Sequence, residues 1–209
     1  MTVQSNPSQS AHQIRKNKML SLALVPVFTV LMVISAQIKI PTPILVITLQ
    51  LTVAILSGLL LGARLGFLSQ ILYILMGLIG LPVFAGGGGP GYVTVISFGY
   101  IIGFAFCALV GGFLADQLDK RATSSTEFAH YMGIVVISFV ALFVCYLFGM
   151  AYMYLLSHFY TGFAGNPMSM ALILKVNLLP IAKDVILCLL ASELARRLWR
   201  FRYRGVRTR

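Results

Sequence analysis

Long apolar stretches, unbroken by charge, recur along this chain and leave it few possible architectures. The run from Tyr131 to Leu156 contains no Asp, Glu, Lys or Arg, and neither does the whole region between Arg64 and Asp116. Of the 209 residues, 59% are hydrophobic and 10% charged, a balance that excludes a soluble globule. Mean hydropathy is +0.92, as hydrocarbon rather than water would demand. Each crossing of a ~30 Å hydrocarbon layer takes roughly 20 apolar residues in helical form, so the chain has room for about six crossings and little else. The apolar runs are continuous and lack the alternation of a lipid-facing strand, which favours helices over a β-barrel. The sequence therefore predicts an all-α integral membrane protein. Its six transmembrane helices form one domain over residues 19–199, between a disordered basic N-terminal arm, 1–18, and a basic tail, 200–209.

The spans read as follows. The first covers Met19 to Ala36 and is followed by Gln37, Lys39 and a turn set by Pro41 and Pro43. The second covers Ile44 to Leu61, and Gly62, Ala63 and Arg64 form a tight helix-to-helix connection to the third, which reaches Leu81. Pro82 to Gly91 carries four consecutive glycines, and the fourth span runs from Tyr92 to Leu114. Asp116, Asp119, Lys120, Arg121 and Glu127 read as a solvated loop before a fifth span, Tyr131 to Leu156. The last, Met168 to Trp199, is longer than one crossing needs, so its end is expected to project as a basic helix or tail.

Charge sets the orientation. Arg15, Lys16 and Lys18 precede the first span, Arg64 lies in the second connection, Lys120 and Arg121 in the fourth, and seven arginines lie between Arg196 and Arg209. With six spans all of these fall on one side. The opposite connections, Pro82 to Gly91 and Ser157 to Asn166, hold no Lys or Arg, and Lys39 alone runs against the trend. Both termini are thus predicted to be cytoplasmic. The net charge of +11 expresses membrane topology and not nucleic-acid binding. The first apolar stretch is long enough to span, so no cleavable signal peptide is expected. Cys107, Cys145 and Cys188 lie inside spans without Cys-x-x-Cys spacing and read as small packing residues.

Ionisable groups within hydrocarbon are costly and usually face a cavity or a partner. Lys175, Lys183, Asp184 and Glu193 qualify, all in the last span. Glu193 lies near arginines and reads as an interfacial ion pair; Lys175 can snorkel to water. Asn177 and Asp184 are seven apart and share a helix face, with Pro180 between them, where its missing N–H frees the carbonyl of Val176. That face offers an amide, a carboxylate and an unpaired carbonyl. A ureido or similar amide-like ligand presents N–H donors and a carbonyl acceptor to match. Lys183, about 100° around the helix, is placed to meet a ligand carboxylate. The same residues also fit a pair that neutralises itself, stabilises packing and binds nothing.

The glycine run supplies a second element. Gly86 and Gly87 let backbone approach a ligand and can form an N–H nest, but the Gly-Lys-Ser/Thr ending of a nucleotide P-loop is missing. Ser97 and Tyr100 offer hydroxyls beside it, and Phe84, Tyr73, Tyr146 and Tyr152 are candidate aromatic walls.

Several segments are distinctive together: Ala36-Gln-Ile-Lys-Ile-Pro41, Ile47-Thr-Leu-Gln50, Gly58-Leu-Leu-Leu-Gly62-Ala-Arg64-Leu-Gly66, Gly80-Leu-Pro-Val-Phe-Ala-Gly-Gly87 and Gly99-Tyr-Ile-Ile-Gly-Phe104. From about Ser35 to Arg197 the chain resembles the BioY-type, biotin-specific substrate-binding (S) subunits of energy-coupling-factor (ECF) vitamin importers. The resemblance implies an S-component-like six-helix bundle in a prokaryotic cell membrane, with an outward-facing pocket built from the last three spans and capped by loops. It implies biotin as ligand, no cofactor and no catalysis. The partners it implies are a transmembrane coupling protein and paired ATPases, which hydrolyse the ATP. A coupling contact of the Ala-x-x-x-Ala kind on the first span corresponds here to Ala23 and Val27.

The sequence also departs from that family. Its final span often reads Asn, then Pro-Gly-Asp, with Lys three residues after the Asp. Asn177 and Asp184 match at the same spacing, but Lys183 stands for the Gly and Leu187 for the Lys. Gly88 lies near the position of an arginine that some members carry, and Ile96-Ser97-Phe98 replaces the usual Pro-Thr-Gly, adding bulk near the pocket. These departures leave open an S subunit for another small vitamin-like ligand. An assembly protein is a further alternative. A membrane enzyme is disfavoured, because no His pair, Cys pair or carboxylate cluster lies at bilayer depth; His158 is in an outer turn and His130 at the mouth of a span.

Overall fold

A computed structural model describes residues 7–41, 44–121, 127–160 and 167–206. Six helices carry the described residues: α1 (Pro7–Gln37), α2 (Gln50–Leu61), α3 (Ala63–Leu78), α4 (Phe98–Arg121), α5 (Glu127–Phe159) and α6 (Met170–Val206). Two short strands, β1 (Lys39–Pro41) and β2 (Val46–Thr48), form an antiparallel hairpin between α1 and α2, and Pro90–Thr94 makes a 3-10 turn ahead of α4.

Helix α4 is central and packs against α5, α2 and α3, while α6 packs on α5 and α2, and α1 on α3 and α2. Small residues allow these approaches. A Cβ built on Gly58 of α2 would lie 2.5 Å from the carbonyl oxygen of Ala108 on α4, so only glycine lets the two backbones meet there. Helices α2 and α3 meet at Gly62, whose φ of 81° ends one helix and starts the next. Asp116 near the end of α4 accepts the Ala63 N–H at 3.4 Å, placing a carboxylate at the N-terminus of α3.

Among the described residues, two helical stretches are each long and apolar enough to cross a bilayer, Phe98–Lys120 and Glu127–Phe159, with mean hydropathies of 2.1 and 2.6. Leu22–Gln37, Gln50–Leu61 and Ala63–Leu78 are apolar but shorter. The bundle turns apolar side chains outward along much of its length, including Val136, Phe143 and Leu147 on α5 and Leu178, Ile186 and Leu190 on α6. Inside, α6 buries a stripe at helical spacing: Ile173, Asn177, Asp184, Cys188, Ser192 and Ala195.

The structure revises several expected boundaries. The run from Ile44 does not begin a helix: Leu45 to Thr48 lies before α2, and β2 pairs Val46, Ile47 and Thr48 with Pro41, Ile40 and Lys39. The β-branched run Val46, Ile47 and Thr48 favours that extended form. Helix α4 starts at Phe98 instead of Tyr92. Asp116, Asp119, Lys120 and Arg121 belong to the last turns of α4 and Glu127 opens α5, so the expected charged loop is largely helical. Helix α1 already begins at Pro7, within the arm whose composition reads as disordered. Residues 1–6 of that arm, Pro43 of the expected turn, 161–166 of the outer connection and 207–209 of the tail lie outside the described residues.

At the far end from the hairpin, Glu193 accepts from Arg196 at 2.7 Å and Arg197 at 2.8 Å, as the interfacial pairing anticipated. Nearby, the Trp199 indole donates to Asp119 at 2.9 Å and ties the end of α6 to α4.

Candidate functional site

The polar groups of α6 face α4 and α5, and a tyrosine fixes each of them. Asn177 is fully buried. It accepts the Tyr100 hydroxyl on Oδ1 at 2.5 Å and donates from Nδ2 to the carbonyl of Ile173 at 2.8 Å. Asp184 accepts the Tyr146 hydroxyl on Oδ2 at 2.7 Å. The two phenol rings meet edge to face, 5.7 Å between centroids, so α4 and α5 present their hydroxyls side by side to α6. The other carboxylate oxygen, Oδ1, lies 2.7 Å from Nζ of Lys183. That ammonium is the partner of Oδ1, which is buried and has no further hydrogen-bond donor among the described residues.

The hairpin lies over these groups. Lys183 Nζ donates to the carbonyl of Thr48, joining β2 to α6. At the other strand, Lys39 Nζ donates to the carbonyl of Ala85 at 2.5 Å, joining β1 to the glycine loop. The Thr48 hydroxyl donates to Gln50 Oε1 at 3.1 Å, Gln50 Nε2 to the Tyr73 hydroxyl at 2.7 Å, and Tyr73 in turn to the carbonyl of Val83 at 3.2 Å. One polar chain thus connects hairpin, α2, α3 and loop.

The glycine loop is closely folded. Phe84 and Gly87 exchange both backbone hydrogen bonds, at 2.8 and 3.1 Å, across a tight turn completed by Gly87 at φ 121°. The N–H of Gly89 is bonded to the carbonyl of Gly77 at 2.7 Å and that of Gly86 to the Tyr92 hydroxyl at 3.3 Å. The amides of Gly86, Gly87 and Gly89 are therefore already donors within the protein, not a vacant anion nest. A Cβ on Gly88 would fall 2.0 Å from the carbonyl oxygen of Leu81, so no side chain fits there without moving backbone.

Between hairpin, loop and α6 lies a partly enclosed cavity with about 640 Å³ of empty space. Tyr100, Ser97, Asn177 and Asp184 line it, as do Pro180 and Tyr146. Phe84 does not: it is 1% exposed and packs behind the lining against Tyr73, Tyr92 and Phe98, with centroids 5.4, 4.6 and 6.4 Å away. Gly86 and Gly87 flank the lining residue Ala85 but are not themselves in the lining. Lys183, expected at a ligand carboxylate, directs its ammonium to Asp184 and Thr48 and is also outside the lining. Phe98, expected to crowd the pocket, packs on Phe84 and Tyr152 and lines nothing. Ala23 and Val27 are both exposed on α1, away from this site.

Sequence reasoning missed Leu45, Thr48, Gln50, Tyr92 and Cys145 as lining residues, and treated Tyr146 only as a wall. The Ile47-Thr-Leu-Gln50 segment carried the available signal, two polar residues beside an otherwise apolar run.

The BioY family profile matches residues 7–204. This chain belongs to the BioY family. It is 36% identical over 187 residues to a probable biotin transporter BioY of Lysinibacillus sphaericus, covering 90% of each chain. It is 40% identical over 92 residues to a probable biotin transporter BioY of Pyrococcus horikoshii, covering 44% of this chain and 57% of that one. Its fold matches the crystal structure of the S-component for biotin from an ECF-type ABC transporter, with a TM-score of 0.66 at 23% identity, over 94% of this chain and 95% of that one. The relatives that it matches are named as biotin transporters.

Proposed function

We propose that this chain captures biotin in the cavity between the hairpin and α6 and serves as the substrate-binding subunit of an ECF-type vitamin importer. The observation that carries this reading is the pairing of a buried amide, Asn177, with a buried carboxylate, Asp184, on one helix face. Each is held by a tyrosine and each opens onto the same cavity. The relatives that share this chain's family are named biotin transporters.

Biotin's ureido ring offers N–H donors and a carbonyl. Asp184 takes a ureido N–H; the amide of Asn177 and the hydroxyls of Tyr100 and Ser97 orient the ring, with Gly86 and Gly87 beside Ala85 of the adjacent wall. Pairing of these buried polar groups on both sides is what makes such a site selective.

In the same reading six helices cross a prokaryotic plasma membrane with both termini cytoplasmic. Residues 1–18 form a cytoplasmic arm, 19–199 the membrane domain and 200–209 a basic cytoplasmic tail. A coupling protein packs on the exposed face of α1 around Ala23 and Val27, and a pair of ATPases supplies the energy. The departures at Gly88 and Leu187 keep another small vitamin-like ligand as the second reading. Phe98 does not favour it, since its ring is turned away from the lining.

Equilibrium binding of labelled biotin to the detergent-purified protein tests the proposal, with desthiobiotin, thiamine and riboflavin as competitors. Saturable binding displaced by desthiobiotin alone, and lost in a Lys183→Ala, Asp184→Ala double variant, supports it. A monodisperse, folded protein that binds no biotin overturns it.

A further inference from the structure

A ligand whose two ends are a ureido ring and a carboxylate needs a cation as well as the Asn177 and Asp184 pair. Three described lysines lie toward the cavity end of the bundle: Lys39, Lys175 and Lys183. Lys183 is committed, its ammonium 2.7 Å from Asp184 Oδ1 and donating to the Thr48 carbonyl. Lys175 is exposed and two residues from the inward-facing Asn177, about 200° away around the helix, so it points off the site. The glycine loop contributes neither a side chain nor free amides at Gly86, Gly87 and Gly89.

Lys39 differs from both. It has no carboxylate within ion-pair distance among the described residues, yet its side chain folds across from β1 to the carbonyl of Ala85, a residue of the cavity lining. An ammonium has three N–H donors. One is spent on that carbonyl, which leaves two; Lys39 itself stands outside the lining and reaches the cavity through Ala85.

We propose that Lys39 receives the carboxylate of the bound ligand at the cavity rim, so that the site selects the free acid over its neutral amide. This rests on the biotin reading above and assigns the charge that the loop and the last helix do not provide. The division of labour is then by element: α6 with its two tyrosines holds the ring, and the hairpin holds the acid. Ligand binding supplies Lys39 with its counter-ion and adds a second tie, through the ligand, between hairpin and bundle.

The test compares biotin with biotinamide on the full-length, detergent-purified protein, in wild type, Lys39→Gln, Lys39→Arg and Lys183→Met. Charge-assisted hydrogen bonds imply a wild-type preference for the acid of about ten- to a hundredfold. Lys39→Gln is expected to lose that preference by weakening biotin alone. Its unchanged affinity for biotinamide reports an intact fold, and Lys39→Arg is expected to restore most of the preference. Retention of the preference in Lys39→Gln overturns the assignment, as does its loss in a Lys183→Met variant that still binds biotinamide normally. Binding of neither ligand by folded wild-type protein removes the biotin reading itself, an outcome distinct from either of these.

Discussion

The hydroxyl of Tyr146 on α5 sits 2.7 Å from Oδ2 of Asp184 on α6, holding one oxygen of that carboxylate while Lys183 faces the other. Asp184 is 6% exposed, so the phenol does for it what water would do at a surface. Tyr146→Phe removes the donor and leaves the carboxylate in place. Loss of a hydrogen bond to a buried charged group costs about 1–3 kcal/mol, so the thermal unfolding midpoint in a fixed detergent is expected to fall. Asp184→Asn with Tyr146→Phe should cost less than the sum of the two single changes, because they share one interaction. Additive effects would mean that the two residues are not coupled.

The tyrosine on the neighbouring helix is held by lack of space. A Cβ on Gly149 would lie 2.2 Å from Cε1 of Tyr100, whose hydroxyl holds Asn177. Gly149→Ala should push the ring aside at an overpacking cost of about 1–3 kcal/mol and break its hydrogen bond to the amide. The expected readout is biotin affinity lowered by about tenfold, with helical content unchanged by circular dichroism. Wild-type affinity in Gly149→Ala would dissociate the Tyr100 position from ligand binding.

Support for the loop can be probed from behind. A Cβ on Gly77 of α3 would enter the ring of Phe84, 2.0 Å from its Cζ, and Phe84 carries the contacts to Tyr73, Tyr92 and Phe98. Gly77→Ala should destabilise the protein by about 1–3 kcal/mol and loosen the loop. Proteolysis of the folded protein between Leu81 and Tyr92 is the measurement: faster cleavage than in wild type is expected, and an unchanged rate would show that the aromatic cluster yields without moving the turn.

Binding and transport should separate on α1. Val27 is 49% exposed, and Ala23 is exposed one turn before it. An Ala23→Trp change is expected to leave equilibrium biotin binding in detergent at its wild-type value. On the proposed coupling face it should lower biotin uptake by cells that express a coupling module by about tenfold, since a bulky side chain obstructs close helix packing. Equal loss of binding and uptake would place Ala23 in the fold of the subunit rather than at its partner.

What the sequence disclosed follows from which interactions are local. The last helix was readable in detail because its signal is periodic: Asn177, Asp184 and Cys188 recur on one face, and burial follows that face. The connection at Gly62 was readable because a positive φ calls for glycine. The hairpin was not, since Ile44 to Ile47 is apolar and only Thr48 and Gln50 interrupt the run into α2, and periodicity cannot divide so short a stretch. Nor could the sequence say where Lys183 points. Its partners are the adjacent Asp184 and the carbonyl of Thr48, far away in the chain, and only the fold brings that carbonyl near. Phe84 was misjudged as a wall for a related reason: an aromatic residue beside glycines reads the same whether its ring faces a ligand or the protein behind it.

The 2.0 Å between a Cβ at Gly88 and the Leu81 carbonyl also bears on how this protein can change over time. A single nucleotide substitution that wrote arginine into the loop would produce a collision before it produced a charge. Backbone from Leu81 to Gly88 would first have to be re-laid, and the intermediates on that route would carry the damage without the benefit. A lineage with this turn is thereby steered toward mutations elsewhere, in the hairpin and the last helix, whenever selection acts on what the subunit accepts.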